Sequence, residues 1–439
     1  MKKIIINSLG CPKNLVDSEI IAASLKNHNY VLVSDPKQAD IGIINTCAFI
    51  EPAVEEAIDA ILEFGKYKED GSMKKIVVAG CLVERYKEEV LDKMPEVDLC
   101  IGIDGYKDIA TILDSNERQT IYGKNIDSSF MNSPRLLSSK KASAYVKISE
   151  GCDNRCTYCT IPFIRGKFRS RSIEDIVFEV EDLCNNKGIK EITLVAQDTT
   201  AYGKDIYGQI SLCALLRRLE KIENLKWIRL LYCYPELIDD ELIELMKKSK
   251  KLLHYLDIPL QHASNKILKL MGRKGSWEQY NNLIDKLRKN IDDIVIRSTF
   301  IVGFAQETKE DFYKLCDFLE RNRFDRAGFF SYFKEEGSAA YNLDGHIEEE
   351  IKLKRLKKCQ ALQQNIMLEK NQERIGKIYQ VLVEGVSPDG LFYSGRSYGE
   401  AKEIDPIIYI ASKEELVLNE FIQVKIVGLQ DENLVAEVL

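Results

Sequence analysis

A chain of 439 residues is too long for one ordinary core, and with 45% hydrophobic and 30% charged residues it reads as a soluble protein of two or three domains. No apolar run approaches the roughly 20 residues of a membrane span, and the three isoleucines of MKKIIINSLG are too few for a signal-peptide core, so the expected compartment is the cytoplasm. The net charge of −7 is uneven: residues 376–439 hold five Lys and Arg against eleven Asp and Glu, which places −6 in the tail and −1 before it.

Residues 1–124 alternate short β-branched runs, KIIINSL, IGIIN and KIVVA, with amphipathic stretches, the pattern of βαβ units on a parallel sheet. Each run closes on a cysteine: Cys11, Cys47 and Cys81. The carboxyl ends of parallel strands share one edge, so these thiols are expected to meet in space. Pro12 suits the first position of a helix, which would set the Cys11 thiolate at a positive helix end and lower its pKa. One such cysteine would be core packing; three in the same structural place point to a metal cluster, since disulfides are not expected in a reducing compartment.

Residues 125–142, within NIDSSFMNSPRLLSSKKASA, are serine-rich with no apolar period and read as a linker. Residues 143–374 resume the alternation with six candidate strands: AYVKIS, EITLVAQ, KWIRLLYCY, HYLDIPL, DIVIRSTFIVG and RAGFFSYF. Six β/α units suit a partial (β/α)6 barrel, closed off by a long charged helix over 348–374. Residues 375–439 turn all-β, with five short strands that fit a small OB-like β-barrel. The expected fold class is therefore α/β in three parts.

The stretch EGCDNRCTYC follows the first central strand and carries Cys152, Cys156 and Cys159. In β/α barrels that end of the strands holds the active site. A structural zinc site wants four ligands, and none of the four histidines, His28, His254, His262 and His346, stands nearby. A 4Fe–4S cluster held by three thiolates leaves one iron open to a substrate or cofactor, so the missing fourth cysteine favours iron and sulfur over zinc or unrelated thiols. Cys100, Cys184, Cys213, Cys233, Cys316 and Cys359 fall inside apolar patterns and read as core. Gln197 and Asp198 end the second central strand and Gln261 and His262 the fourth; each is either a cofactor contact or a loop hydrogen bond. Arg165, Arg169 and Arg171 follow the cysteine loop, either gripping a carboxylate or cofactor or simply solvated.

The spacing Cys-x-x-x-Cys-x-x-Cys with Tyr158 before the last cysteine resembles the radical S-adenosylmethionine (SAM) superfamily. With the second cysteine triad and the small β domain, the whole chain is similar to the methylthiotransferases, and among them to the RimO family, which modifies an aspartate of the twelfth small-subunit ribosomal protein. SLGCPKNLVDSE, NTCAFI, KISEGCDNRCTYCTIP, VAQDTTAYG, YLDIPLQHAS and RSTFIVGF carry the likeness. Gly303-Phe304-Ala305-Gln306-Glu307-Thr308 departs from the family's Gly-Phe-Pro-Gly-Glu-Thr.

The resemblance implies two 4Fe–4S clusters, one on Cys152, Cys156 and Cys159 that cleaves SAM, and one on Cys11, Cys47 and Cys81 that carries sulfur for methylation by a second SAM. It implies that Tyr158 lies beside the adenine, that Gln197, Asp198 and Gln261 contact SAM, that the last domain is a TRAM domain, and that the product is 3-methylthioaspartate. A flavodoxin- or ferredoxin-type protein would donate electrons, and the protein is expected to be a monomer with no membrane partner. The alternative is a tRNA methylthiotransferase, and a zinc or iron-sulfur RNA-binding protein is a further one. The acidic tail weighs against the tRNA reading, because a nucleic-acid face should be basic, while an acidic surface suits a basic ribosomal protein; the order of the two cysteine triads with a β/α barrel between them weighs against the other.

Overall fold

The computed structural model describes residues 1–115, 117–123 and 128–439. The first six strands, β1 (Lys3–Ser8), β2 (Val31–Leu32), β3 (Ile41–Thr46), β4 (Lys75–Gly80), β5 (Leu99–Ile101) and β6 (Gln119–Ile121), form a parallel sheet in the order β2-β1-β3-β4-β5-β6. The three β-branched runs are its central neighbours β1, β3 and β4. Burial on both faces explains why β3 and β4 are almost continuously apolar.

The last residue assigned to the first domain and the first three of the expected linker lie outside the described residues. The rest of the expected linker packs on its neighbours: Phe130 and Met131 are buried, and Arg135 is ion-paired to Glu19 and Glu179.

Next come β7 (Ser143–Lys147), a short ribbon of β8 (Ser149–Glu150) with β9 (Arg169–Ser170), then β10 (Glu191–Val195), β11 (Trp227–Leu230), β12 (Leu252–Gln261), β13 (Val295–Val302) and β14 (Arg326–Ser331). Apart from the ribbon these make a second parallel sheet, β14-β13-β12-β11-β10-β7, whose ends do not meet, so the barrel is partial as expected. Alternate residues such as Ile192, Leu194, Ile228, Leu256 and Ile296 pack on the covering helices. The long helix spans Glu349–Gln372. The tail strands β15 (Ile378–Val386), β16 (Tyr393–Arg396), β17 (Ile408–Ala411), β18 (Phe421–Gln430) and β19 (Asn433–Val438) close into a five-stranded barrel, β15-β16-β17-β19-β18.

The tail docks on the other face of the second sheet. Arg396 is fully buried between Glu191 of β10 and Glu384 of β15, and Arg229 of β11 donates to the Tyr398 carbonyl. Trp227 meets Phe421 edge-on, centroids 4.6 Å apart. Part of the tail's acidity is therefore internal: Glu400 pairs with Arg374 and Asp405 with Arg297. Asp389, Glu403, Glu414, Glu415, Glu420, Asp431 and Glu437 remain exposed, Glu420 in a surface pair with Lys190. Five of the six cysteines read as core are buried, and Cys213 packs half-buried against the same core. Among the described residues, no helix is long and apolar enough to cross a membrane.

Candidate active site

Cys11, Cys47 and Cys81 sit just past β1, β3 and β4, three adjacent strands, so the thiols share one sheet edge. Cys11 caps the helix Pro12–Asn27, with Pro12 at its first position. Gly10 has φ +85°, and a Cβ there would lie 2.5 Å from the Cys47 Cβ; only glycine lets these two loops approach. Burial raises the Cys11 thiol's pKa, but the Lys13 ammonium and Arg165 guanidinium bring it below the ordinary value. For Cys81 burial wins, pushing its pKa up to about 12, and Cys47 is likewise raised by burial.

Cys152, Cys156 and Cys159 occupy the loop after β7 and β8, at the carboxyl edge of the second sheet. The loop is strapped down: Thr157 N–H donates to the Met271 carbonyl (2.9 Å), Thr157 Oγ1 to Leu270, and Ala340 N–H to Thr157. Gly151, with φ +77°, passes so close to Lys167 that a Cβ would meet its carbonyl oxygen at 2.1 Å. Burial pushes Cys152 up to about 11 and Cys159 to about 12.

The two edges face each other, and Arg165 joins them. It is buried, pairs with Asp17 of the first domain and Glu150 of the second (each 2.9 Å), donates to Asn14, and places Nη2 3.3 Å from the Cys81 sulfur. Lys147 pairs with the same two carboxylates. Burial raises the Glu150 carboxyl, but Arg165 and Lys147 hold it well below the usual range. Arg165 is thus neither solvated nor free to grip a ligand. Arg171 is buried on Glu179 and the Lys147 carbonyl, and Arg169 donates to the Lys167 and Arg165 carbonyls.

Asp198 accepts from Asn154 in the cysteine loop (2.7 Å) and from Thr200, tying strand end to loop. Gln197 donates to Glu150 and keeps a buried Oε1 without a partner. Tyr158 leans on the Phe304 and Tyr332 cluster, and burial raises its hydroxyl pKa far above the ordinary value. His262 is fully buried; Nδ1 accepts from Ser264 N–H, and Nε2 lies 3.6 Å from Glu307 with no hydrogen bond. Backbone strain gathers here: Tyr232, Gln261 and Gln306 hold φ of +60°, +72° and +62°. Gln306 thus keeps a glycine-like turn in the departing 303–308 loop, which Glu307 closes by accepting from Gly303 and Phe304 N–H.

Two buried cations escaped the sequence. Lys13 stands 3.7 Å from the Tyr232 ring centroid, and Arg273 lies over Tyr234 with Nη1 3.9 Å from the Cys156 sulfur. Lys13 follows Cys11 by two residues, but its reach to Tyr232 and the Ala196 carbonyl, like that of Arg273 to Cys156, is a tertiary fact.

Among the described residues no three His, Cys, Asp or Glu side chains converge tightly enough for a single metal ion. A four-iron cluster spreads its thiolates over separate irons, and all six cysteines are free thiols, so this donor set fits clusters better than zinc. The glycine-only approach of Gly10 to Cys47 keeps the first site compact.

Residues 146–319 match the Radical SAM superfamily, 3–102 the Uncharacterized protein family UPF0004, and 375–439 the TRAM domain. Fold and cysteine loop together define a radical SAM protein. A Ribosomal protein uS12 methylthiotransferase RimO from Acetivibrio thermocellus is 48% identical, covering 100% of this chain and 98% of its own; one of the same name from Clostridioides difficile is 46% identical over 100% and 99%. The chain belongs to the RimO family of ribosomal protein uS12 methylthiotransferases. The solved radical SAM methyltransferase TsrM from Kitasatospora setae shares the fold at 13% identity, with a TM-score of 0.55 over 77% of both chains.

Proposed function

We propose that this protein is a radical SAM methylthiotransferase that converts an aspartate of ribosomal protein uS12 to 3-methylthioaspartate. Full-length identity to RimO enzymes carries the reading. The superfamily implies one 4Fe–4S cluster and SAM. We assign that cluster to Cys152, Cys156 and Cys159, and a second to Cys11, Cys47 and Cys81. When bound, these groups supply one-electron cleavage of SAM and the sulfur that is transferred, with two SAM used per turnover.

The chain's own residues hold this chemistry in place. The clamps on Thr157 fix the cysteine loop against the end of the helix Asn265–Leu270, and the Asn154–Asp198 bond sets the strand-end polar groups beside it. Gln197 and Gln261 are polar groups for SAM at the same edge, with Tyr158 on its apolar side. Arg165 and Lys147, locked by Asp17 and Glu150, keep the two sites in register across the domain boundary. Arg273 offsets thiolate charge at Cys156.

The exposed tail acids suit a basic ribosomal protein. A flavodoxin- or ferredoxin-type protein supplies electrons, and the working unit is a cytoplasmic monomer. The test is mass spectrometry after anaerobic incubation of reconstituted protein with SAM, a strong reductant and sulfide, offering uS12 and unmodified tRNA in parallel. One methylthio group gained on the uS12 aspartate supports the reading; gain on the tRNA alone overturns it.

A further inference from the structure

Among the described residues eleven Lys and Arg side chains are buried: Lys13, Arg135, Lys147, Arg165, Arg171, Arg229, Arg273, Arg326, Lys352, Arg396 and Lys402. Nine of them stand within ion-pairing distance of a carboxylate. Among the described residues Lys13 and Arg273 have none, and each belongs to one cysteine site. A buried cation with no carboxylate beside it is costly, and whereas Arg273 bonds the Cys156 sulfur at 3.9 Å, the contacts Lys13 makes are to a neutral carbonyl and a ring face.

Lys13 is 7% exposed. It is rooted two residues beyond Cys11 but reaches across the domain boundary: Nζ donates to the Ala196 carbonyl at 3.5 Å, next to Gln197, and faces the ring of Tyr232 after β11. It therefore stands between the edge carrying Cys11, Cys47 and Cys81 and the strand ends beside the Cys152–Cys159 loop. The ammonium has three donors; one makes this long bond and the ring offers only its face, so hydrogen-bonding capacity remains.

We propose that Lys13 binds the side-chain carboxylate of the substrate aspartate and so sets the requirement for an acidic residue. The inference rests on the reading of uS12 as substrate. A carbon that receives a group from one site after activation at the other must lie between them, and in aspartate the carboxylate is bonded to that carbon. Arg273 is a less suitable partner, because Tyr234 covers its face and Nη2 is bonded to the Pro259 carbonyl.

The test compares binding of labelled uS12 with that of its variant carrying asparagine at the modified aspartate, to reconstituted enzyme without reductant, so no turnover occurs. The wild type is expected to prefer the aspartate form by about 30-fold or more, the scale of a desolvated charge pair. Lys13→Met should bring the ratio close to one, and Lys13→Arg should retain most of it. The ratio is read in place of absolute affinity, and iron content is measured alongside, so a fall in cluster loading cancels. A cation that only balanced thiolate charge would change iron content and leave the ratio intact; Lys13→Met with an undiminished ratio overturns the proposal. So does a wild-type ratio near one. Either result leaves the proposed function standing if uS12 still gains its methylthio group, and failure of that gain identifies the function as the error.

Discussion

The Cys152–Cys159 loop gathers three thiols within eight residues after a single strand, whereas Cys11, Cys47 and Cys81 each need a separate strand of one sheet. The first arrangement is local and is strapped by a few backbone bonds at Thr157. The second exists only when three parallel strands are in register, and it is wired to the rest of the molecule through Arg165. A site built from one loop tolerates distant damage; a site built from three strand ends and a buried ion network does not.

The largest effects are expected from removing thiols. Cys156→Ala should abolish formation of 5′-deoxyadenosine from SAM, measured by chromatography. Cys81→Ala should retain that cleavage while losing methylthio transfer. Equal loss in both variants would erase the distinction between the sites.

Next comes the ion network. Asp17→Ala leaves Lys147 and Arg165 to share Glu150, and breaking such a buried pair costs about 3–5 kcal/mol. Urea denaturation should register this, with iron lost from the strand-end site before the loop site.

A smaller effect concerns the tail. Burial opposes ionisation of Glu191 and Glu400, but Arg396 and Arg229 hold the first at about 2, and Arg374 and Arg326 the second at about 2. An unfolded Glu titrates near 4.3. The stabilisation is therefore present above that value and is lost as pH falls from about 4.3 toward 2. Fluorescence of Trp227, which abuts Phe421 of the tail, should change over this window, and Glu191→Gln should blunt the change. The smallest effect is Gln306→Gly, expected to stabilise by about 0.5 kcal/mol, left-handed strain relieved less the added freedom of the unfolded chain.

The local site was the more legible one. Spacing alone places Cys152, Cys156 and Cys159 in one loop, and the runs ending at Cys11, Cys47 and Cys81 are strong enough to give β1, β3 and β4. The strands β2, β5 and β6, of two or three residues, are too short to carry a period. Arg165 reads from sequence as one of three loop arginines, because its partners Asn14, Asp17 and Cys81 lie far away along the chain. Lys13 is hidden behind Cys11 for the same reason. The tail's charge was countable, but its division between inward pairs and an outward acidic face needed the docked barrel. Gln306 shows the converse: the turn survives without its glycine because Glu307 and the Gly345 carbonyl hold it.

Two cysteine sites with separate duties require two clusters. Iron analysis with electron paramagnetic resonance on the reconstituted wild type, and on variants with either triad changed to alanine, counts them. About eight irons are expected in the wild type and about four in each variant, with SAM perturbing the spectrum only where Cys152, Cys156 and Cys159 remain. About four irons in the wild type, or a spectrum that responds to SAM when those three are gone, would contradict that assignment.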